Sequence, residues 1–345
     1  MEAFQAFVVE KTWEMPQTGS VSSHAAYGGE HVKAGVKTLR VEDLPEGQVL
    51  VRVLYSGLNY KDALACIRDG KVVRSYPMVP GIDLAGTVLE SRDPRFRPGD
   101  SVLATGYELG VSHYGGWSQL ARVPADWLIP IPRGWTEKEA MIVGTAGFTA
   151  ALAIKRMEEN GLHPDQGSVL VTGATGGAGS LAVALLAKRG YRVAAGTGKQ
   201  EHEFLKELGA AEIIPRNELN PDRIRPLEKQ RWAGAIDCVG GPTLSYVLSS
   251  IQNDGSVAAI GLAQSSQLET TVMPFILRGV NLLGINSVSV PRPVREQLWP
   301  EIARDLDSEC LRRFVHAEAE LNELPGYVDR ILKGQIRGRV IVKLQ

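Results

Sequence analysis

Two different hydrophobic patterns divide the chain. In the first third, short apolar runs alternate with Gly, Pro and polar residues, and they predict β-strands over residues 5–10, 39–41, 48–57 and 86–90. No amphipathic helical pattern separates these runs, which indicates an irregular β-rich barrel. Residues 12–37 are polar and contain Gly and Ser, so we expect a surface loop or a lengthened hairpin there.

The pattern becomes helical near residue 141. Apolar residues recur at helical spacing from there to Asn160-Gly161, a pair that predicts the end of a helix. From Gly167 apolar runs alternate with helical stretches: GSVLVTGA, YRVAAGTG, AEIIP, GAIDCVG, GSVAAIGL and VNLLGINSV. Strands that alternate with helices predict a parallel sheet of right-handed βαβ units, so the fold class is α/β.

The tail from Arg292 predicts two helical stretches and a final strand, GRVIVKL. That strand resembles nothing in the predicted parallel sheet, and we expect it to pair back with the N-terminal barrel. A chain of 345 residues with 44% hydrophobic residues is long enough for two hydrophobic cores. The expected division is a β-rich domain of residues 1–140 and 310–345 and a second domain of residues 141–309.

Charge and cysteine content limit the class of partner. The net charge of −1 gives no overall attraction for nucleic acid or an anionic membrane. Cys66, Cys238 and Cys310 are odd in number and far apart, which indicates a reducing compartment rather than a disulfide framework. The first residues show no signal-peptide pattern, so we expect a soluble, cytoplasmic protein that acts on a small molecule.

A glycine-rich turn carries the strongest chemical signal. Residues 169–180 read VLVTGATGGAGS, an apolar strand followed by glycines and then an apolar helix from about Ser180. Glycine lets the backbone approach a pyrophosphate closely, and the N–H groups at the start of a helix attract its charge. Gly176, Gly177 and Gly179 fit those roles, although Ala174 replaces the usual first glycine. The turn predicts dinucleotide binding.

The end of the second strand indicates which dinucleotide binds. Gly196-Thr197-Gly198-Lys199 stands where an acidic residue normally binds the ribose hydroxyls of NAD. Without a carboxylate, and with the Lys199 cation and the Thr197 hydroxyl nearby, a 2′-phosphate is favoured, so NADPH is predicted over NADH. Arg216 either adds a second cation at the adenosine end or is a solvated surface charge.

Several strings together resemble a known family over essentially the whole chain. SGLNYKDAL, YPMVPGIDLAGTV, IVGTAGFTAAL, TGATGGAGS, RPLEKQRWAGAIDCVGG, TTVMPFILRGVNLLGINSV and GRVIVKL look like the acrylyl-CoA reductase subgroup of the zinc-free, quinone-oxidoreductase-like medium-chain dehydrogenases/reductases. The resemblance implies a GroES-like β-rich catalytic domain and a Rossmann domain that binds NADPH. Asn59 and Ile82 stand where zinc-dependent relatives carry catalytic zinc ligands, and neither can replace a thiolate or an imidazole.

The resemblance also implies the site residues. Those expected to line the NADPH site are Tyr60, Thr175, Gly176, Gly177, Ala178, Thr197, Gly198, Lys199, Arg216, Leu262, Ile276, Ser287 and Arg339. Two features depart from the subgroup: residues 12–37 form a longer stretch than expected, and Lys199 replaces a common Arg. No metal is expected.

The implied reaction is reduction of the activated C=C bond of acryloyl-CoA to propionyl-CoA, by hydride transfer to the β-carbon. Tyr60 and Arg339 are the candidate catalytic residues, and Tyr60 either hydrogen-bonds the cofactor or delivers a proton to the α-carbon. Asn59 can in principle donate to the substrate carbonyl, but an Asn in a turn more often bonds its own backbone.

Two other functions stay open, namely an NADPH-dependent quinone or enone reductase and a non-catalytic NADPH-binding sensor. A homodimer is expected, with the apolar run 280–290 as a candidate sheet edge.

Overall fold

The computed structural model describes residues 3–13 and 30–345. The strands are β1 (Ala3–Trp13), β2 (Glu30–Arg40), β3 (Val49–Leu58), β4 (Asp83–Ser91), β5 (Ser101–Thr105), β6 (Leu120–Val123), β7 (Ile129–Pro130), β8 (Ser168–Thr172), β9 (Arg192–Thr197), β10 (Ala210–Pro215), β11 (Trp232–Asp237), β12 (Ile251–Ala259), β13 (Asn281–Gly284), β14 (Val315–Ala319) and β15 (Arg339–Lys343). The helices are α1 (Tyr60–Ala65), α2 (Glu137–Glu159), α3 (Gly177–Lys188), α4 (His202–Glu207), α5 (Gly241–Ser250), α6 (Met273–Arg278), α7 (Arg292–Asp305), α8 (Ser308–Arg313) and α9 (Leu324–Leu332).

The predicted parallel sheet is confirmed. Six strands lie in the order β10-β9-β8-β11-β12-β13, and every neighbouring pair is parallel. The strand sequence runs outward in both directions from β8 and β11, which is the doubly wound arrangement that places a ligand crevice at their carboxyl ends. Each of the six apolar runs forms one strand. The central strands β8 and β11 are almost wholly buried, because a strand covered on both faces by helices needs apolar side chains on both sides.

The second sheet contains the barrel strands and the end of the chain. Its order is β14-β15-β3-β4-β5-β7, with β6 also paired to β3. β15 is antiparallel to β3, and Val340 stands opposite Leu58, which confirms that the last strand pairs back with the N-terminal part. The strands β5, β6, β7 and β14 were not predicted from the sequence, and the two helical stretches predicted for the tail are in fact the three helices α7, α8 and α9.

The N-terminal strands form a hairpin arm. β1 and β2 pair antiparallel, with Phe7 opposite Val36, so residues 12–13 and 30–37 are strands of a lengthened hairpin, which is one of the two alternatives expected there. The remainder of the predicted loop or lengthened hairpin, residues 14–29, lies outside the described residues.

Helix α2 passes from the barrel to the parallel sheet. The Thr136 hydroxyl accepts a hydrogen bond from the Glu139 N–H at its start, and Asn160 and Gly161 (φ +93°) end it as predicted. Gly144, with φ +48° and ψ −156°, interrupts the helix, so the N–H of Thr145 is free to bond a side chain. In the described part of the chain, α2 alone has the length and apolar character of a membrane-crossing helix, and 83% of its most apolar window is buried inside the protein.

Candidate functional site

The glycine turn lies between β8 and α3, as predicted. The left-handed conformation belongs to Gly173 (φ +60°), one residue before Ala174, so an alanine is tolerated in the first motif position. A Cβ on Gly179 would stand 2.3 Å from the Gly173 carbonyl oxygen, so only glycine lets α3 start so close to β8. The first N–H groups of the 12-residue helix α3 therefore face the crevice, where they fit a pyrophosphate.

The predicted adenosine end lies at the carboxyl end of β9. The Thr197 hydroxyl accepts a hydrogen bond from the Lys199 N–H at 3.0 Å, and the Lys199 ammonium donates to the Ile336 carbonyl at 2.7 Å. Burial lowers the pKa of Lys199, and the Glu201 carboxylate opposes that shift. Arg216 is exposed and its side chain runs beside Gly198, where a Cβ would lie 3.1 Å from the Arg216 Cδ. The structure thus brings both predicted cations to one strand end.

Arg339 is buried at the junction of the two sheets, where the exposed fraction of its side chain is 2%. Its Nη1 donates to the Asn59 Oδ1 at 2.9 Å, and its Nε donates to the Ile142 carbonyl at 3.1 Å. The Asp83 carboxylate lies 3.6 Å from its Nη2. Burial lowers the pKa of the Arg339 guanidinium, while Asp83 and then Asp62 counteract the shift. Contact of Arg339 with cofactor or substrate stays a prediction.

Asn59 connects Arg339 to two buried carboxylates. The Asn59 amide donates to Asp83 at 2.8 Å and to Asp62 at 3.1 Å, while the Asn59 backbone N–H donates to Asp62 at 2.8 Å. Because both carboxylates accept from the amide, the structure directs its donors inward rather than toward a substrate carbonyl. We call Asn59, Asp62, Asp83, Thr145 and Arg339 the junction network.

Thr145 completes the junction network from helix α2. Its N–H donates to both oxygens of Asp83 at 3.1 Å, and its hydroxyl also donates to Asp83. This contact needs the break at Gly144, where a Cβ would lie 2.6 Å from an Asp83 oxygen. The network therefore fixes the barrel, α2 and the last strand relative to one another.

Tyr60 and Gly177 are both next to members of the junction network. Tyr60 follows Asn59 as the first residue of α1, and its side chain is 42% exposed, so it is accessible to a ligand. The missing Cβ of Gly177 would meet the Arg339 Cδ at 3.2 Å. The Gly338 N–H donates to the Thr175 carbonyl at 2.9 Å, which joins the glycine turn to the base of β15.

The remaining residues predicted to line the NADPH site are Ser287, Leu262 and Ile276, and they differ in exposure. Ser287 is 9% exposed and its hydroxyl accepts from Thr149 on α2 at 2.7 Å. Leu262 is 59% exposed above the turn after β11, where a Cβ on Gly240 would lie 3.4 Å from its Cα. Ile276 is 70% exposed on α6, beside the exposed apolar residues Val272, Met273 and Leu277. Ile276 therefore lies in an apolar surface patch, and its contact with NADPH stays a prediction.

Sequence reasoning left Asp62, Asp83 and Thr145 out of the site. A carboxylate inside an apolar strand, as in GIDLAGTV, is a usable signal because buried charges are rare unless paired. Within residues 3–13 and 30–345, no group of three or more His, Cys, Asp or Glu side chains has an arrangement that could hold a metal ion.

Asp62 makes stability depend on pH. Burial, and then the nearby Asp83 carboxylate, raise its pKa from 3.8 to about 7. The folded protein then binds more protons than the unfolded chain between about pH 4 and pH 7, so the free energy of unfolding should fall as pH rises through that range, by up to about 1.4 kcal/mol per pH unit. Urea unfolding of the wild type and Asp62→Asn from pH 5 to 8 tests this, and equal slopes would contradict it.

Comparison with known proteins gives the family. The alcohol dehydrogenase GroES-like domain matches residues 45–133, and the zinc-binding dehydrogenase family matches residues 177–304. The chain is 50% identical over 340 residues to the acrylyl-CoA reductase AcuI of Ruegeria pomeroyi, covering 98% of both chains. It is 53% identical over 321 residues to the putative quinone oxidoreductase YhfP of Bacillus subtilis, covering 93% of this chain and 97% of the relative.

Two solved structures match nearly the whole chain. Escherichia coli YhdH with bound NADPH has a TM-score of 0.90 at 47% identity, covering 99% of this chain and all of the other. Bacillus subtilis YhfP with bound NAD has a TM-score of 0.91 at 50% identity, covering all of both chains. The resemblance and fold class inferred from the sequence are confirmed, and the chain belongs to the quinone-oxidoreductase-like family of the medium-chain dehydrogenases/reductases.

Proposed function

We propose that this enzyme uses NADPH to reduce the activated C=C bond of acryloyl-CoA, giving propionyl-CoA. The observation that carries the proposal is 50% identity to an acrylyl-CoA reductase over 98% of both chains. The chain is an NADPH-dependent oxidoreductase, and its own residues fit that cofactor: a glycine turn faces the start of α3, and Lys199 and Arg216 flank the end of β9.

The protein residues bind the cofactor, orient the substrate and stabilise the charge that develops during the reaction. Bound NADPH supplies the hydride that the β-carbon of the substrate accepts. Tyr60, half exposed at the start of α1, hydrogen-bonds the cofactor or delivers the proton to the α-carbon. Arg339 supplies positive charge near the thioester oxygen, and the junction network fixes its orientation before any ligand binds.

Tyr60→Phe distinguishes the two roles of Tyr60. If its hydroxyl delivers the proton, turnover should fall about 100-fold while the Kd for NADPH stays within about twofold. If the hydroxyl binds the cofactor, the Kd should rise and single-turnover chemistry should change little. Stopped-flow NADPH oxidation and cofactor fluorescence titration measure the two quantities, and unchanged values for both would remove Tyr60 from the site.

If Lys199 and Arg216 bind the 2′-phosphate of NADPH, removing both cations should weaken the binding of NADPH but not of NADH. Lys199→Gln with Arg216→Gln should raise the KM for NADPH about 10- to 100-fold and leave the KM for NADH within about twofold, because only the first cofactor carries the phosphate. Arg225→Gln is the matched control, since that side chain is 69% exposed and pairs with Glu228. An equal loss with both cofactors would contradict the assignment.

A quinone or enone is the alternative substrate. The 53% identity to a putative quinone oxidoreductase favours it, since the same hydride donor serves an enone. NADPH absorbance should be followed with acryloyl-CoA, a quinone, an unactivated alkene and acryloyl-pantetheine, with NADH as the cofactor control. Fast oxidation with acryloyl-CoA, much slower with the truncated thioester, supports the proposal; activity with the quinone alone overturns it.

We also propose that the enzyme is a homodimer in the cytoplasm. Leu282, on the edge strand β13, is 38% exposed, and Val272, Ile276 and Leu277 are further exposed apolar side chains in the preceding segment of the chain. An exposed sheet edge with apolar neighbours fits pairing with a second copy. Elution as a monomer across concentrations in size-exclusion chromatography would contradict the dimer. The division at residues 140/141 and 309/310 stays a prediction.

A further inference from the structure

A second buried arginine, Arg295, bonds Thr105, which stands opposite Asp83 in the pairing of β4 and β5. Arg295, in the first turns of α7, is 1% exposed. Its Nη1 donates to the Thr105 hydroxyl at 2.9 Å, and its Nε donates to the Val290 carbonyl at 3.1 Å. Its Nη2 donates to the carbonyls of Ser287 and Val288, both at 3.0 Å. All four hydrogen-bond partners are neutral backbone or hydroxyl oxygens, and the Asp83 carboxylate attracts the guanidinium without being one of these partners.

Two aromatic rings enclose the same guanidinium. The centroid of Tyr107 lies 4.3 Å from its Cζ and that of Phe148 lies 4.8 Å away, which adds cation–π attraction on the planar faces. The Tyr107 N–H also donates to the Val288 carbonyl at 3.1 Å. A planar group with donors in a fixed fork can hold several carbonyls of one segment at once, whereas an ammonium cannot reproduce the fork or the stacking.

The segment that Arg295 holds, residues 287–290, lies on one side of the glycine turn. β9, which carries Lys199 at its end, neighbours β8 on one side, and β11, β12 and β13 lie on the other. A dinucleotide with its pyrophosphate at the turn after β8 and its adenosine at β9 places its nicotinamide half toward β11 to β13. Ser287 follows β13 by three residues, so its segment belongs to the nicotinamide side.

We infer that Arg295 is a positioning residue, which holds residues 287–290 so that they fit the nicotinamide half of the cofactor. Arg295 does not itself reach the crevice; it acts through the Ser287 and Val288 backbone, and Thr149 holds the Ser287 hydroxyl from α2. The inference rests on the proposed NADPH binding. Lys199 and Arg216 then affect binding of the adenosine half of the cofactor, whereas Arg295 affects binding of the nicotinamide half.

The experiment compares a whole cofactor with one half of it. For Arg295→Lys, the Kd for NADPH should rise about tenfold, while the Kd for adenosine 2′,5′-bisphosphate, which lacks the nicotinamide, should stay within about twofold. In Lys199→Gln both values should rise. Arg189→Lys is the matched control, since Arg189 is 14% exposed and bonds Asp305 at 2.8 Å away from these segments, and neither value should change.

Thr105→Val is a second variant in case Arg295→Lys does not fold. It removes one hydroxyl partner of Arg295 with almost no change in side-chain shape. The Kd for NADPH should rise about threefold, while the Kd for adenosine 2′,5′-bisphosphate should not rise. A Kd for NADPH within twofold of wild type in Arg295→Lys, or an equal rise for both ligands, overturns the inference. A wild-type protein that binds neither compound overturns the proposed function instead.

Discussion

Arg339→Met is expected to lower the free energy of unfolding by about 3–5 kcal/mol, because it leaves the fully buried Asp83 carboxylate without its cation. The Asn59 amide oxygen and the Ile142 carbonyl also lose their donor. Urea denaturation measures the loss. NADPH affinity should fall as well, since the Arg339 stem packs against the glycine turn at Gly177.

Lys333→Met is the control for that substitution. Lys333 also pairs with a carboxylate, at 2.7 Å from Asp329, but the two side chains are 58% and 60% exposed. Solvent screens such a pair, so the expected change is about 0.5 kcal/mol or less. If Arg339→Met costs no more than this control, the junction network does not hold the two sheets together.

Gly179→Ala is expected to weaken NADPH binding about tenfold or more. The new Cβ would stand 2.3 Å from the Gly173 carbonyl oxygen, so α3 must move away from the end of β8. Its first N–H groups then leave the position that fits the pyrophosphate, and overpacking should also cost about 1–3 kcal/mol of folding free energy. Cofactor fluorescence titration and urea unfolding report the two effects.

Gly326→Ala is the matched substitution. Gly326 lies on the exposed side of α9, and a Cβ there meets no atom within 4 Å. Alanine favours a helix over glycine by about 1 kcal/mol, so this variant should be as stable as the wild type or more stable, with unchanged NADPH affinity. Equal affinity in both variants would show that close packing of α3 on β8 does not matter for binding.

The sequence predicted the parallel sheet better than the barrel. Each strand of the parallel sheet contains a short apolar run, such as VLV in β8 or VAA in β12, whereas β7 has two residues and β14 reads VHAEA, with polar residues that mask the strand signal. Such segments form strands because neighbouring strands supply hydrogen-bond partners, which a local pattern does not encode.

The glycine turn could be predicted because all of its parts lie within twelve consecutive residues. The junction network could not, since Asn59 and Arg339 lie 280 positions apart and meet through the register of β15 on β3. Arg339 was predicted at the site from family resemblance, but the carboxylates that hold it were not. Arg295 gave no signal, because one arginine in a polar helical stretch looks like a surface charge.

The position of β15 between β14 and β3 has a consequence for synthesis of the chain. A ribosome makes most of the barrel strands first, yet β15, which also borders β3, is made only after the whole parallel sheet. Residues 49–52 of β3 can pair with β6 early, but residues 55–58 must wait for β15 through synthesis of the whole parallel sheet. A ribosome that stops after the parallel sheet would therefore release a protein that lacks both β15 and Arg339.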